Sequence, residues 1–268
     1  MKWLIVGLVL IIPSIVNAEI RYLARFEYNN QIRYGEIKKQ FIQPLSGDLF
    51  GKLVVTGKKI AVSDVKLILP TDAQKVFAVG MNFDSHLSSP SNAPPPLFLK
   101  LPTSLIASGQ DIQLPEGATN VHFEGELVLI IGKKTKNVSE SDANKAIFAV
   151  TVGNDLTEQN WQSSDLQWMR SKASDGFGPI SPIMAIGVDY NNLLLTTKLN
   201  DKVVQQENTK HMIHKPAKVI SYLSQYYTLM PGDLIFMGTP GRTKALSNGD
   251  KISVTIEQVG TVTNKIKF

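Results

Sequence analysis

After about residue 20 the chain opens with short stretches in which apolar and polar residues largely alternate, the period of half-buried strands. Ile20 to Tyr28 and Gln31 to Ile37 flank Asn29-Asn30 as the arms of a hairpin flank its turn. Phe41 to Val55, turned by the Pro-Leu-Ser-Gly-Asp segment at 44–48, and Val65 to Ile68 before Pro70 add strand-like runs. Together they predict a small N-terminal β domain over 19–70, followed by a larger domain over 71–268. In the larger part Lys75 to Gly80 and Glu126 to Gly132 read as buried strands, and Ala146 to Val152, Leu193 to Leu199, Leu234 to Met237, Ile252 to Gln258 and Thr261 to Phe268 as further strands. Helices are few. Ser139 opens a short one, with Ser-Glu-Ser-Asp as its cap and first turn, and Val219, Ile220, Leu223 and Tyr227 give helical spacing to Pro216–Leu229. The pattern predicts a β-rich α+β fold rather than a βαβ series.

The start of the chain reads differently. Met1 and Lys2 precede an apolar run from Trp3 to Val16, broken at Pro13-Ser14, and Val16-Asn17-Ala18 places small residues at a cleavage point. A helix crossing a bilayer needs roughly 20 apolar residues. The run is shorter, and it predicts a signal peptide over 1–18 cut before Glu19, hence a secreted or periplasmic protein with no stable membrane anchor after cleavage. Composition adds exclusions. With 43% hydrophobic and 19% charged residues the 268-residue chain is an ordinary soluble globular protein. Its 28 Lys and Arg against 23 Asp and Glu give +5, or +4 once Lys2 is lost, with no basic run of the kind that binds nucleic acid. There is no cysteine, which excludes thiol catalysis, disulfides and thiolate metal sites. Any metal must sit on oxygen or histidine.

The sharpest local feature is His122-Phe123-Glu124-Gly125-Glu126-Leu127-Val128, which enters a buried strand. Residues two apart share a face, so Glu124 and Glu126 project together and repel each other unless something positive lies between them. A hard divalent cation such as Mg²⁺ is the natural guest, and an exposed strand start paired with lysine is the alternative. Asp155 follows the strand Ala146–Val152, as a third carboxylate ligand or as the N-cap of the next helix in competition with Thr157. Gly238-Thr239-Pro240 after a strand exposes backbone amides and a hydroxyl, which suits a carboxylate and equally an ordinary turn. Asn137-Val138-Ser139 is an accidental sequon, His211, Met212 and His214 are expected to face solvent, and Trp161 and Trp168 are expected in the core, with a place on the pocket floor near Asp155 as the alternative.

Six strings in one order resemble the fumarylacetoacetate hydrolase family: Val79-Gly80-Met81-Asn82-Phe83 with His86, Phe98-Leu99-Lys100, His122 to Leu127, Asn154-Asp155-Leu156-Thr157 with Gln162, Lys172 with Gly178-Pro179, and Pro231-Gly232-Asp233 with Gly238-Thr239-Pro240. The resemblance runs from about Ile20 to the C-terminus and points to acylpyruvase-like and 2-hydroxyhepta-2,4-diene-1,7-dioate isomerase-like members. It implies a rolled mixed β-sandwich, a homodimer, and Mg²⁺ or Mn²⁺ held by Glu124, Glu126 and Asp155. It further implies that Lys172 offsets the surplus negative charge and reaches substrate oxygens, that Gln162 lines the site, that Thr239 binds a substrate carboxylate, and that Lys100 lies near the pocket.

The chemistry so implied is that of small 2-oxo or β-diketo acids, whose enolate the metal stabilises before carbon–carbon hydrolysis, decarboxylation or keto–enol isomerisation. Hydrolysis in the family uses a His-x-x-Glu pair to activate water. Here His86 is followed three residues on by Ser89, and a hydroxyl is no charge partner for an imidazolium. Glu158-Gln159 also departs from the family's small residue and arginine. The alternative to an enzyme is an exported metal- and ligand-binding protein without turnover.

Overall fold

The computed structural model describes residues 19–86 and 93–268. The signal peptide predicted over 1–18, Ser89 and most of the Ser/Pro-rich loop around it lie outside the described residues.

The N-terminal hairpin forms as its sequence requires. Arg21–Tyr28 pairs with Gln31–Lys38, and Asn29 and Asn30 both take positive φ, 50° and 58°, which suits the tight turn of a twisted hairpin. Phe41–Gly47 and Leu53–Val55 extend it. These strands do not stop at a boundary. Arg21–Tyr28 pairs antiparallel with Ile183–Ile186, so the sheet runs on through Ile147–Asn154, Gly125–Ile131, Leu234–Phe236, Val76–Val79 and Leu97–Lys100. Among the described residues this sheet has 14 strands. A second sheet of five runs Asp111–Gln113, Gly260–Lys267, Lys251–Ile256, Leu194–Leu199 and Lys202–Asn208. The β-rich expectation holds.

Gly125–Ile131 is buried along its whole length because it is covered on both faces. Leu127, Leu129 and Ile131 join one core with Val152, Leu195, Val254 and the helix residues Val219, Ile220 and Leu223, whereas Val128 and Ile130 join another with Met184, Leu234 and Phe236. Two-sided burial is why the strand reads as a continuous apolar run instead of an alternating one. The helix Pro216–Tyr226 starts with proline at its first turn and ends one residue before Tyr227, whose ring lies 5.3 Å from that of Phe77. No helix among the described residues is long and apolar enough to cross a membrane.

Candidate metal and substrate site

Glu126 stands at the start of Gly125–Ile131 on the face of Val128 and Ile130, and Glu124 precedes it. The antiparallel register sets Gly125 opposite Asn154 and Glu126 opposite Gly153. One step further, the Asp155 N–H donates to the Glu124 carbonyl at 2.8 Å, and the Asn154 side-chain oxygen accepts from the Glu124 N–H at 2.8 Å. The register therefore brings Glu124, Glu126 and Asp155 together, with one ligand oxygen of each within 4.8 Å of the others. Gly153 permits the close layering, since a Cβ there would lie 2.4 Å from the Phe236 ring. Asp155 and Thr157 are not helix caps. The helix Gln159–Ser164 is capped by Glu158, whose carboxylate accepts from the Trp161 N–H, and the Thr157 hydroxyl donates to Glu124 Oε1 at 2.7 Å.

Two lysines enter this acidic cluster. Lys172, on the helix Met169–Ala173, places Nζ 2.7 Å from both Glu124 Oε2 and Asp155 Oδ2. Lys100 Nζ lies 2.6 Å from Asp155 Oδ1 and donates to the Lys172 carbonyl. Burial works against the Lys172 charge, but Asp155 and Glu124 outweigh it and hold its pKa above the ordinary lysine value. For Lys100 burial prevails over Asp155 and the pKa is lowered. Burial raises Glu124, with Lys172 opposing. Glu126 is pushed well above the carboxylate range by burial and then by the charges of Asp155 and Glu124, although the Gly238 N–H donates to its Oε2 at 2.7 Å.

The residues fit a hard divalent cation. Three carboxylates against two ammonium groups leave the cluster one negative charge in excess, carried by a glutamate that disfavours ionisation without a further cation. All three offer oxygen, the donor that Mg²⁺ and Mn²⁺ prefer. Donors from Thr157, Gly238, Lys100 and Lys172 aim the carboxylates, the outer support that metal sites require.

The cluster borders a pocket of about 480 Å³, with Asp155 itself fully buried outside the lining. Glu124, Glu126, Lys172, Gln162 and Thr239 line it, facing an apolar wall that includes Val79, Phe98 and Trp168. The Phe98 and Trp168 rings meet edge-on at 5.7 Å, and Lys172 Nζ sits 4.9 Å from the Phe98 centroid. Lys100 is fully buried behind Asp155, outside the lining. His86 ends a short 3₁₀ turn, Asp84–His86. The core expectation for the tryptophans is corrected: Trp168 lines the pocket, and half-buried Trp161 carries the Arg170 guanidinium 4.6 Å above its ring. The expectation of solvent-facing residues at 211–214 is corrected too. Met212 and His214 are buried, whereas His211 is half-exposed as expected, with its Nδ1 2.7 Å from Glu207 on the preceding strand.

Three contributors escaped the sequence reading. Glu158, seen there only as a departure, is fully buried outside the pocket lining, where its carboxylate accepts from the Asn120 and Trp161 N–H groups. Asn82 clasps the Met237 and His214 carbonyls and accepts from the His214 N–H. Gln205 bonds Thr239 from the five-stranded sheet.

Comparison with known proteins agrees with this geometry. The family described as "Fumarylacetoacetate (FAA) hydrolase C-terminal" matches residues 75–267, and "Rv2993c-like, N-terminal" matches residues 23–70. The chain belongs to the fumarylacetoacetate hydrolase family. It is 37% identical over 238 residues to protein Rv2993c of Mycobacterium tuberculosis, covering 87% of this chain and 90% of that one. It is 33% identical over 221 residues to the human mitochondrial oxaloacetate tautomerase FAHD2A, covering 76% and 70%. Among solved structures, 2-hydroxyhepta-2,4-diene-1,7-dioate isomerase from Mycobacterium marinum superposes with a TM-score of 0.87 at 35% identity, over 93% of this chain and 98% of that one. Fumarylpyruvate hydrolase from Pseudomonas aeruginosa, in complex with Mn²⁺ and pyruvate, gives 0.69 at 25% identity, over 74% and 91%.

Proposed function

We propose that this protein is an exported, Mg²⁺- or Mn²⁺-dependent enzyme that interconverts keto and enol forms of small 2-oxo dicarboxylic acids, with oxaloacetate as the first candidate substrate. The observation that carries the reading is the convergence of Glu124, Glu126 and Asp155 within 4.8 Å, with the two glutamates lining a pocket that Lys172 and Thr239 also line. A divalent cation bound there supplies Lewis-acid polarisation of the 2-oxo group. The chain's own residues do the rest. Lys172, fixed between two carboxylates, holds a positive charge toward the enolate oxygen, and Thr239 with Gln162 orients the substrate carboxylate. Phe98 and Trp168 keep water from one side of the pocket, which strengthens each charge interaction within it.

Isomerisation is favoured over hydrolysis because moving a proton between carbon and oxygen needs no activated water, and Ser89 stands where a carboxylate partner for His86 would be required. His86 is the candidate carrier of that proton. Relatives named as an oxaloacetate tautomerase and a hydroxyheptadienedioate isomerase support the choice.

The test uses residues 19–268 with Mg²⁺ or Mn²⁺ on enol oxaloacetate, acylpyruvates and fumarylacetoacetate, with products separated by mass. Metal-dependent ketonisation of oxaloacetate that is lost in Glu124→Ala, without added pyruvate, is expected. Cleaved acylpyruvate would make the protein a hydrolase, excess pyruvate a decarboxylase, and ligand binding without product an exported binding protein. Cleavage before Glu19 is checked by N-terminal sequencing of secreted material, and the homodimer by light scattering.

A further inference from the structure

A second cavity adjoins the carboxylate pocket. It measures about 380 Å³ and is lined by Leu99, Leu166, Met169 and Tyr227 together with Phe98 and Trp168, the two aromatic residues that also wall the first. The two spaces therefore meet along one aromatic pair, whose rings stand edge-on at 5.7 Å. Chemistry changes across that pair. On the inner side the Lys172 ammonium lies 4.9 Å from the Phe98 centroid, and Glu124 and Glu126 face the same space. On the outer side no charged side chain of the described residues lines the cavity. Its apolar residues are open to solvent: Leu166 is 93% exposed, Leu99 52%, Met169 49% and Tyr227 47%. Four large apolar side chains converging on one hollow mark a surface built to be covered. Trp168 holds its place on the divide from a left-handed backbone, with φ at 56° and ψ at 16°, a conformation that costs a residue with so large a side chain and that persists where its surroundings fix it.

A charged pocket that continues past an aromatic pair into an uncharged hollow matches an amphipathic small molecule, with an acid head and a hydrocarbon tail. We propose that the outer cavity is a tail subsite, so that the protein binds 2-oxo monocarboxylic acids bearing an alkyl chain in addition to small dicarboxylic acids. The head would lie over Glu124 and Glu126 beside Lys172, and the chain would cross Phe98 and Trp168 to cover Leu166 and Met169. The inference rests on the reading above that a 2-oxo acid occupies the carboxylate pocket. Its own ground is the shared wall, which puts the open apolar hollow next to that acid.

The experiment measures, by calorimetry with Mg²⁺ present, the affinities of residues 19–268 for oxaloacetate, 2-oxobutanoate, 2-oxohexanoate and 2-oxooctanoate. Affinity along the three alkyl acids should rise by about two- to fourfold per added methylene, the upper figure being that of a fully buried one. Leu166→Ser and Met169→Ser, made together, remove apolar surface from the outer cavity alone, at positions exposed enough for the chain to fold. This double variant should flatten the chain-length dependence while its affinities for oxaloacetate and 2-oxobutanoate, and its Mg²⁺-induced rise in Tm, stay near the parent's. Equal affinities for the three alkyl acids in the parent would overturn the inference alone, as would an unchanged dependence in the double variant, which would send the tail elsewhere. A double variant that differs from the parent in mass by light scattering would also overturn it, by giving the hollow to a second copy of the chain. A parent that binds neither oxaloacetate nor 2-oxobutanoate with Mg²⁺ would overturn the functional reading and this inference with it.

Discussion

Asp155 and Glu124 are joined twice: the Asp155 N–H donates to the Glu124 carbonyl at 2.8 Å, and the two carboxylates share the Lys172 ammonium, each at 2.7 Å. The backbone bond places the side chains, and the shared ammonium keeps them close despite like charge. Asp155 is also the partner of Lys100, so it is the one carboxylate that both lysines contact.

Asp155→Asn therefore removes one of the three carboxylates proposed to hold the cation and leaves two buried ammonium groups under-compensated. Loss of one partner from a buried ion pair costs about 3–5 kcal/mol. Thermal melts should show a folded but strongly destabilised protein whose Tm no longer rises with Mg²⁺, whereas the parent's rises as native-state binding requires. An undiminished Mg²⁺ response would remove Asp155 from the ligand set.

Glu126 behaves in the opposite sense. Burial and its anionic neighbours raise its pKa well above the ordinary 4.5, so without metal the folded state holds a proton that the unfolded chain has already released. Stability from this group is highest at low pH and falls as pH rises from the unfolded value through the raised one, the reverse of a salt-bridged carboxylate. Glu126→Gln should flatten that part of the pH–stability profile and raise the metal-free Tm near neutrality, while abolishing Mg²⁺ binding. In the parent, Mg²⁺ affinity should increase with pH over the same window, because the ligand must be deprotonated.

Lys100 stabilises the site without lining the pocket. Lys100→Met should lower Tm by roughly 10 °C, the scale set by breaking a buried pair in a chain of this size. Mg²⁺ should bind at least as tightly as in the parent, since the cluster has lost a positive charge. Weaker Mg²⁺ binding in a folded variant would assign Lys100 a different part.

Gly238 is constrained twice. Its φ of 91° is costly for any residue with a side chain, and a Cβ would lie 2.7 Å from the Asn82 Cβ and 3.0 Å from the Val79 carbonyl. Gly238→Ala should cost more than about 1 kcal/mol. Because the Gly238 N–H also holds Glu126, Mg²⁺ affinity should fall along with stability. A variant destabilised with unchanged Mg²⁺ affinity would show that this N–H does not tune the ligand.

Much of this was legible in the chain. Strand alternation located the hairpin at Asn29-Asn30, the apolar run after Glu126 located a strand buried on both faces, and the two-residue period placed Glu124 and Glu126 together, because side-chain direction in a strand follows from backbone geometry alone. The order of motifs carried the family and, with it, the carboxylate triad. What tertiary structure decided are relationships between strands distant in sequence. The pairing of Arg21–Tyr28 with Ile183–Ile186 makes the N-terminal strands an extension of the large sheet. Lys100 lies behind Asp155, Glu158 is consumed as a helix cap, and Gln205 meets Gly125 across 80 positions of chain. Periodicity specifies which face a residue takes, but the layer lying over that face is chosen by the packing of the whole molecule, where burial and hydrogen-bond satisfaction are settled together.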